Sequence, residues 1–118
     1  MLQSFTIPAI TVSWNILARQ NRWKYKTIND EWHKLAAYAI LRARIKPVTA
    51  FPVHVHFHAR WKKKMRHDID SLFSAKPVMD VLVTRKIIPD DNLSYVSQVT
   101  FTGEIGADRD ELVVTISE

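Results

Sequence analysis

The chain of 118 residues has the length of one small domain, and its 47% hydrophobic and 25% charged residues are typical of a globular protein. The absence of cysteine excludes disulfides, thiolate metal ligands and a cysteine nucleophile, and fits a reducing compartment such as the cytoplasm. The two glycines, Gly103 and Gly106, are too few and too late for a glycine-rich phosphate loop, so we expect no nucleotide cofactor bound in that way.

The longest uncharged run, residues 1 to 18, is interrupted by polar residues and Pro8 and has no basic start. It therefore resembles neither a signal peptide nor a membrane anchor, and we expect a soluble intracellular protein without a membrane partner.

The net charge of +5 is divided unevenly, with +11 on residues 1 to 67 and −6 on residues 68 to 118. A basic half and an acidic half in so short a chain suggest two tasks, the binding of a polyanion and the holding of cations. The alternative is an uneven but merely solvated surface.

The N-terminal third predicts an edge strand and then a helix. Residues 3 to 12 favour a strand interrupted by Pro8, and residues 14 to 26 mix aromatic and basic side chains. Such a mixture suits nucleic acid, although the aromatic rings could equally belong to the core. From Thr27 to about Ile45 apolar residues recur at helical spacing, with Asp30 and Glu31 in the expected first turn.

Residues 51 to 58 alternate as in a strand with one buried face, which leaves His54, His56 and His58 together on the other face. Two histidines spaced in this way could chelate Zn²⁺ or Ni²⁺. A polar strand surface is the alternative, because side chains on the same face of a strand lie nearly 7 Å apart.

A basic segment, residues 59 to 67, leads directly into the aspartates of residues 68 to 70. A short helix is predicted over residues 75 to 83, with Ser74 as N-cap, Pro77 in the first turn and Val78, Leu82 and Met79 facing inward. Residues 87 to 93 predict a turn, and residues 95 to 101 and 111 to 117 predict strands.

The expected fold is therefore a single small α+β domain spanning residues 1 to 118. Its predicted element order is β-α-β-α-β-β, with a mixed sheet and two helices.

Four aspartates flank the short helix, namely Asp68, Asp70, Asp90 and Asp91. If they converge, their mutual repulsion favours a hard divalent cation such as Mg²⁺ or Mn²⁺. Beside a basic segment that holds a phosphodiester backbone, such a metal would activate water for hydrolysis. The alternative is that Asp90 and Asp91 serve a turn and that the other two are solvated loop acids.

The runs DIDSL, KPVMDVL and IIPDD resemble the signature of RusA-type Holliday junction resolvases, D-x-D-N-x-x-K-P-x-x-D-x-L followed by I-x-D-D. The matching residues are Asp68, Asp70, Lys76, Asp80, Leu82, Asp90 and Asp91, with a looser N-terminal match at Ser13, Asn15 and Arg19. The chain departs from the pattern at Ser71, at Ala18 and in having two extra residues between Asp70 and Lys76.

The resemblance implies a bacterial or phage-encoded homodimeric endonuclease that nicks four-way DNA junctions symmetrically with Mg²⁺, for which Mn²⁺ substitutes. By the same resemblance Asp68, Asp70 and Asp91 bind the metal, and Asp90 assists or orients. Lys76 either neutralises charge at the scissile phosphate or positions the attacking water. Asp80 is interpreted as structural, since it can pair with Lys76 four residues away.

The charge pattern adds a nucleic-acid-binding surface to these expectations. Its predicted residues are Arg60, Lys62, Lys63, Lys64 and Arg66, together with Arg19 near the N-terminus. Two alternatives remain open: a junction- or duplex-binding protein whose cleavage is impaired by the insertion before Lys76, and a histidine-metal protein that ignores DNA.

Overall fold

A computed structural model describes residues 2–10, 22–64 and 75–118 of the chain. The predicted α+β class, the order β-α-β-α-β-β and the mixed sheet with two helices are confirmed. The elements are β1 (Leu2–Ile7), α1 (Arg22–Arg42), β2 (Val53–Trp61), α2 (Lys76–Thr84), β3 (Val96–Ile105) and β4 (Glu111–Ser117).

The sheet has the strand order β1-β4-β2-β3, so β2 and β4 are central and β1 and β3 are the edges. Strand β4 is antiparallel to both β1 and β2, whereas β2 and β3 are parallel. At the centre, Phe57 lies opposite Val114 of β4 and opposite Phe101 of β3. No two neighbouring strands of this sheet are joined by a hairpin, because the parallel pair is connected through α2.

The core lies between one face of the sheet and the two helices. Strand β2 places alternate side chains on this face, and Val53, Val55 and Phe57 are completely buried there, as their spacing predicted. Ala59 is also completely buried and extends this face beyond the predicted strand. Both helices contribute apolar side chains to the same cluster: Trp32, Ala36, Ala39 and Ile40 from α1, and Val78, Met79, Val81 and Leu82 from α2.

Helix α1 begins earlier than its sequence pattern predicted. The Thr27 hydroxyl donates to the carbonyl of Trp23 at 2.9 Å, which places Thr27 inside the helix. The expectation that Asp30 and Glu31 occupy the first turn is therefore wrong, because they follow more than two turns after Arg22. No proline or glycine lies between residues 22 and 27 to stop the helix from extending in this direction.

The C-terminal end of α1 also differs from the expected end near Ile45. The helix stops at Arg42, and Arg44 adopts a left-handed conformation with φ 54°. The Ile45 amide then donates to the carbonyl of Ile40 at 3.2 Å, which is the long backward bond of a Schellman ending.

Helix α2 spans Lys76–Thr84, close to the predicted range, and Pro77 lies in its first turn as expected. The N-cap position is Ala75, which makes no side-chain capping bond, so the prediction of Ser74 as N-cap is wrong. Ser74 itself lies outside the described residues.

The strand limits shift as well. Strand β1 ends at Ile7 because Pro8 cannot donate to a ladder, while β2 continues beyond residue 58 to Trp61 and β3 beyond residue 101 to Ile105. Strand β4 has the predicted limits. In the described residues, neither helix combines the length and the apolar character that crossing a bilayer requires.

Candidate functional site

The chain turns back immediately after α2. The amides of Ile87 and Ile88 both donate to the carbonyl of Leu82, at 2.9 and 3.3 Å, and both isoleucine side chains are buried. The Val48 amide donates to the carbonyl of Ile87 at 2.9 Å and fixes this turn to the segment before β2. The turn delivers Asp90 and Asp91, which are exposed, to the surface beside α2.

A groove of about 420 Å³ runs along one face of α2 and gathers the second half of the predicted motif. Its lining residues are His33 of α1, Lys76, Asp80, Val83 and Thr84 of α2, and Asp90 and Asp91 of the following turn. The two aspartates therefore share a groove with Lys76, although they follow the opposite end of the helix.

Asp80 is the hub of this groove. Its carboxylate lies 3.5 Å from the ammonium of Lys76, as the four-residue spacing predicted, and 4.0 Å from Nε2 of His33. His33 Nε2 is buried, and no hydrogen bond joins it to another described residue. Local sequence does not single out His33, because only the packing of α1 against α2 brings it to this groove.

Asp90 and Asp91 have different surroundings. Asp90 accepts hydrogen bonds from the Asp91 amide at 2.7 Å and from the Asn92 side-chain amide at 3.2 Å, so turn chemistry accounts for this carboxylate. Within the part of the chain that the structure describes, the Asp91 carboxylate makes no hydrogen bond or ion pair. Asp91 is therefore the carboxylate of this pair that is available to a ligand.

Several predicted site residues lie outside the described residues: Asp68, Asp70, Arg66 and Arg19, together with the N-terminal motif residues Ser13 and Asn15. Of the three predicted metal ligands, the structure thus describes Asp91 alone. Residues 2–10, 22–64 and 75–118 contain no group of three or more histidine, aspartate or glutamate side chains suited to a metal. Carboxylate oxygens are the donors that Mg²⁺ prefers, but the described residues do not complete a set.

The predicted nucleic-acid-binding residues divide into two environments. Arg60 lies within β2, where its guanidinium donates to Glu104 at 2.7 Å and to Glu111 at 2.5 Å. These hydrogen bonds raise the pKa of Arg60. Its charge is therefore largely matched within the sheet.

The side chains of Lys62, Lys63 and Lys64 are exposed beyond the end of β2. No carboxylate of the described residues forms an ion pair with them. The stem of Lys64 packs against Gly106, where an added Cβ would lie 2.9 Å from Lys64 Cε. Gly106 also has φ 77°, so it suits this turn for two reasons. These three lysines form the exposed basic segment of the described structure.

The outer face of β2 and β3 carries a continuous chain of side-chain hydrogen bonds. Thr100 joins His54 Nε2 to His56 Nδ1, at 2.6 and 2.5 Å. Thr102 joins His56 Nε2 to His58 Nδ1, at 2.8 and 2.6 Å. His58 Nε2 then reaches Glu104 Oε1 at 3.1 Å.

The carboxylate at the end of this series of hydrogen bonds determines which groups donate and which accept. An ionised Glu104 can only accept, so His58 donates through Nε2–H and a neutral His58 accepts the Thr102 hydroxyl proton at Nδ1. The Thr102 hydroxyl then accepts from His56 Nε2–H, and the Thr100 hydroxyl, which donates to His56 Nδ1, accepts from His54 Nε2–H. His56 and His54 therefore also carry their protons on Nε2. Burial and the neighbouring His54 and His58 lower the pKa of His56, which favours the neutral form that this pattern needs.

Five of the six ring nitrogens of these histidines take part in the chain. A metal bond to any of these five would therefore break a hydrogen bond already present. For this face, the contacts favour the alternative of a polar strand surface over that of a metal site.

In comparisons with models of known protein families and with curated proteins, the chain has no match. The resemblance to RusA-type resolvases thus rests on the motif residues and stays a hypothesis.

Proposed function

We propose that the protein is a magnesium-dependent endonuclease that acts as a homodimer and resolves four-way DNA junctions by paired nicks. The observation that carries the proposal is the groove along α2, where Lys76, Asp80, Asp90 and Asp91 meet. These residues make up the second half of the resolvase-like motif, and they come from two separate segments of the chain.

The reaction would be hydrolysis of a phosphodiester. A water oxygen loses a proton and forms a bond to phosphorus, the bond from phosphorus to one deoxyribose oxygen breaks, and that oxygen takes up a proton. A magnesium ion bound by Asp91, with Asp68 and Asp70 as the further predicted ligands, would supply positive charge to the phosphate and make the water more acidic.

The chain's own groups would prepare the site for this reaction. The Lys76 ammonium would offset charge that develops on the phosphate oxygens. Asp80, 3.5 Å from that ammonium, would restrain its position. Asp90 would hold the backbone of Asp91 through its bond to the Asp91 amide. In this scheme Asp80 and Asp90 are positioning residues.

The basic segment of Lys62, Lys63 and Lys64 would bind the phosphate backbone of a junction arm. These ammonium groups are exposed and form no ion pair among the described residues. Their pairing with DNA phosphates would therefore release the counterions condensed on the DNA. A two-fold dimer would present two equivalent grooves to the two equivalent strands of a junction.

The experiment is cleavage of an end-labelled four-way junction beside a linear duplex of the same sequence, in Mg²⁺, Mn²⁺ or EDTA. We expect paired symmetric nicks in the junction alone, lost in EDTA. Asp70→Asn and Asp91→Asn should each abolish the nicks and preserve junction binding, because one fewer carboxylate lowers the repulsion of phosphate. Asp108→Asn, an exposed acid outside the groove, is the matched control.

The second candidate is a junction-binding protein that does not cleave, and the two extra residues before Lys76 favour it. Tight binding to the junction without nicks in either metal would support this candidate and refute the proposed cleavage. If the protein neither binds nor nicks the junction, both candidate functions are refuted.

A further inference from the structure

A second groove, of about 580 Å³, lies on the other side of α1 from the aspartates. It is bounded by edge strand β1, by the C-terminal turns of α1 and by the loop before β4. None of its lining residues belongs to the proposed cleavage site or to the basic segment.

Two guanidinium groups from distant parts of the chain converge on this groove. Arg42 comes from the last turn of α1, and Arg109 comes from the β3–β4 loop. Arg42 donates to the Tyr38 hydroxyl at 3.4 Å, and no carboxylate of the described residues forms an ion pair with it. Its positive charge is therefore open to a ligand.

Arg109 is only weakly neutralised. Its side chain is 77% exposed, and its Nε lies 4.0 Å from Glu111 Oε2, at the limit of an ion pair. Glu111 is already engaged by the shorter bond from Arg60 at 2.5 Å. Asp108 and Asp110 flank Arg109 in sequence, but Asp110 accepts from the Lys62 amide and neither aspartate lines the groove.

The rest of the lining supplies complementary groups. Ser4, Thr6 and Tyr38 bring hydroxyls, while Pro8, Ala43 and the ring of Tyr38 bring exposed apolar surface. Among the described strands β1 pairs with β4 alone, so the backbone groups of its other edge are not used by these strands. The volume lies within the range of about 300–1,000 Å³ that is usual for small-molecule sites.

We infer that this groove binds a phosphate monoester attached to an apolar or aromatic group, with Arg42 and Arg109 holding the phosphate. Two guanidinium groups that approach from different elements suit the three free oxygens of a tetrahedral dianion, whereas a planar carboxylate is matched by one. The ring or hydrocarbon part would lie along the apolar side of the groove. The inference is independent of the cleavage proposed for the aspartate groove.

The test is titration with phenyl phosphate, followed by amide NMR of the ¹⁵N-labelled protein. We expect saturable shifts at Tyr38, Ala39 and Ala43, with phenol giving none and inorganic phosphate binding more weakly than phenyl phosphate. Arg42→Gln and Arg109→Gln should each weaken binding by about tenfold or more, because each removes a charge-assisted hydrogen bond. Both side chains are exposed, so the variants should fold.

The matched control is Arg85→Gln, which removes an exposed arginine at the end of α2 that does not line this groove. Unchanged affinity in the control and lost affinity in the two variants would support the site. Shifts that are absent, or equal loss in all three variants, would overturn it.

Two natural sources share this ligand chemistry, a free nucleotide and the phosphorylated end of a strand. Adenosine monophosphate and a short 5′-phosphorylated oligonucleotide distinguish them, each compared with its unphosphorylated form. Tighter binding of one phosphorylated form assigns the source. Equal binding of phosphorylated and unphosphorylated forms would contradict the inference.

Discussion

Replacing Thr100 by valine tests the hydrogen-bond chain on the outer face of the sheet. The change keeps the branched shape of the side chain and removes one hydroxyl. That hydroxyl joins His54 and His56 through bonds of 2.6 and 2.5 Å. Thr115→Val is the matched control, because Thr115 is equally half-buried and lies opposite His56 on the other neighbouring strand. Its hydroxyl makes no hydrogen bond to the described histidines.

The expected size follows from the two lost bonds. A hydrogen bond within a protein contributes about 0.5–1.5 kcal/mol, and valine regains a few tenths through its strand propensity and apolar surface. Because water can reach the partly exposed histidines and replace the lost hydrogen bonds, we expect the loss of stability to lie near the lower end of this range. We expect Thr100→Val to reduce the free energy of unfolding by about 1–2 kcal/mol more than Thr115→Val does.

Urea unfolding at pH 8 and at pH 5 measures this difference. At pH 8 His56 is neutral, because burial lowers its pKa, and its Nδ1 accepts the Thr100 hydroxyl proton. Where acid protonates His56, Nδ1 carries a hydrogen and can no longer accept the threonine proton. The gap between the two variants should therefore narrow in acid. Equal losses in both variants at pH 8, or a gap that widens in acid, would refute the proposed direction of the chain.

Four further expectations concern pH, charge and the core. The pKa of His56 is lowered by burial, so the unfolded chain takes up its proton first and the free energy of unfolding falls as the pH drops below about 6.5. Hydrogen bonds from His58 and Arg60 lower the pKa of Glu104, so the free energy of unfolding should fall a second time below about pH 4.5. Thermal unfolding measured against pH tests both decreases, and a melting temperature that does not change with pH contradicts them. Changing Lys62, Lys63 and Lys64 together to glutamine should weaken DNA binding and reduce the steepness of its log–log salt dependence by up to about 3, as fluorescence anisotropy would show, and an unchanged slope would move the DNA surface elsewhere. Leu82→Ala should lower the unfolding free energy by about 2–5 kcal/mol because Leu82 is completely buried, whereas Leu93→Ala, 82% exposed, should change it by less than about 0.5 kcal/mol in the same urea assay.

Alternation and turn residues were enough to predict most of the fold. Strand β4 has the predicted limits, and the inward residues of β2 were identified from their spacing of two. The sequence pattern misses the start of α1 because Trp23, 80% exposed, adds nothing to the buried stripe that marks the rest of the helix. Interpreting Trp23 as a core residue is accordingly wrong.

The contacts of the candidate site could be predicted from sequence where both residues lie on one segment, and not where they come from different segments. The pairing of Lys76 with Asp80 follows from their spacing on one helix. His33 enters the same groove only because α1 packs on α2, and local sequence does not encode that packing. The histidine–threonine chain likewise depends on the parallel register of β2 with β3. Arg42 and Arg109 meet because the sheet order places β4 beside β1.

The strand order also determines when the sheet can assemble. Strands β3 and β4 are close in sequence but flank β2 on opposite sides, and the connection between them passes the end of β2, where the Ala107 amide donates to the Trp61 carbonyl at 2.9 Å. With no hairpin to nucleate it, every strand pairing must close a long loop, which is the topology of a slow folder. Among the described strands β1 pairs with β4, so this pairing can form only after the chain has reached β4. We therefore expect β4, which bridges β1 and β2, to be the strand that completes the sheet during folding.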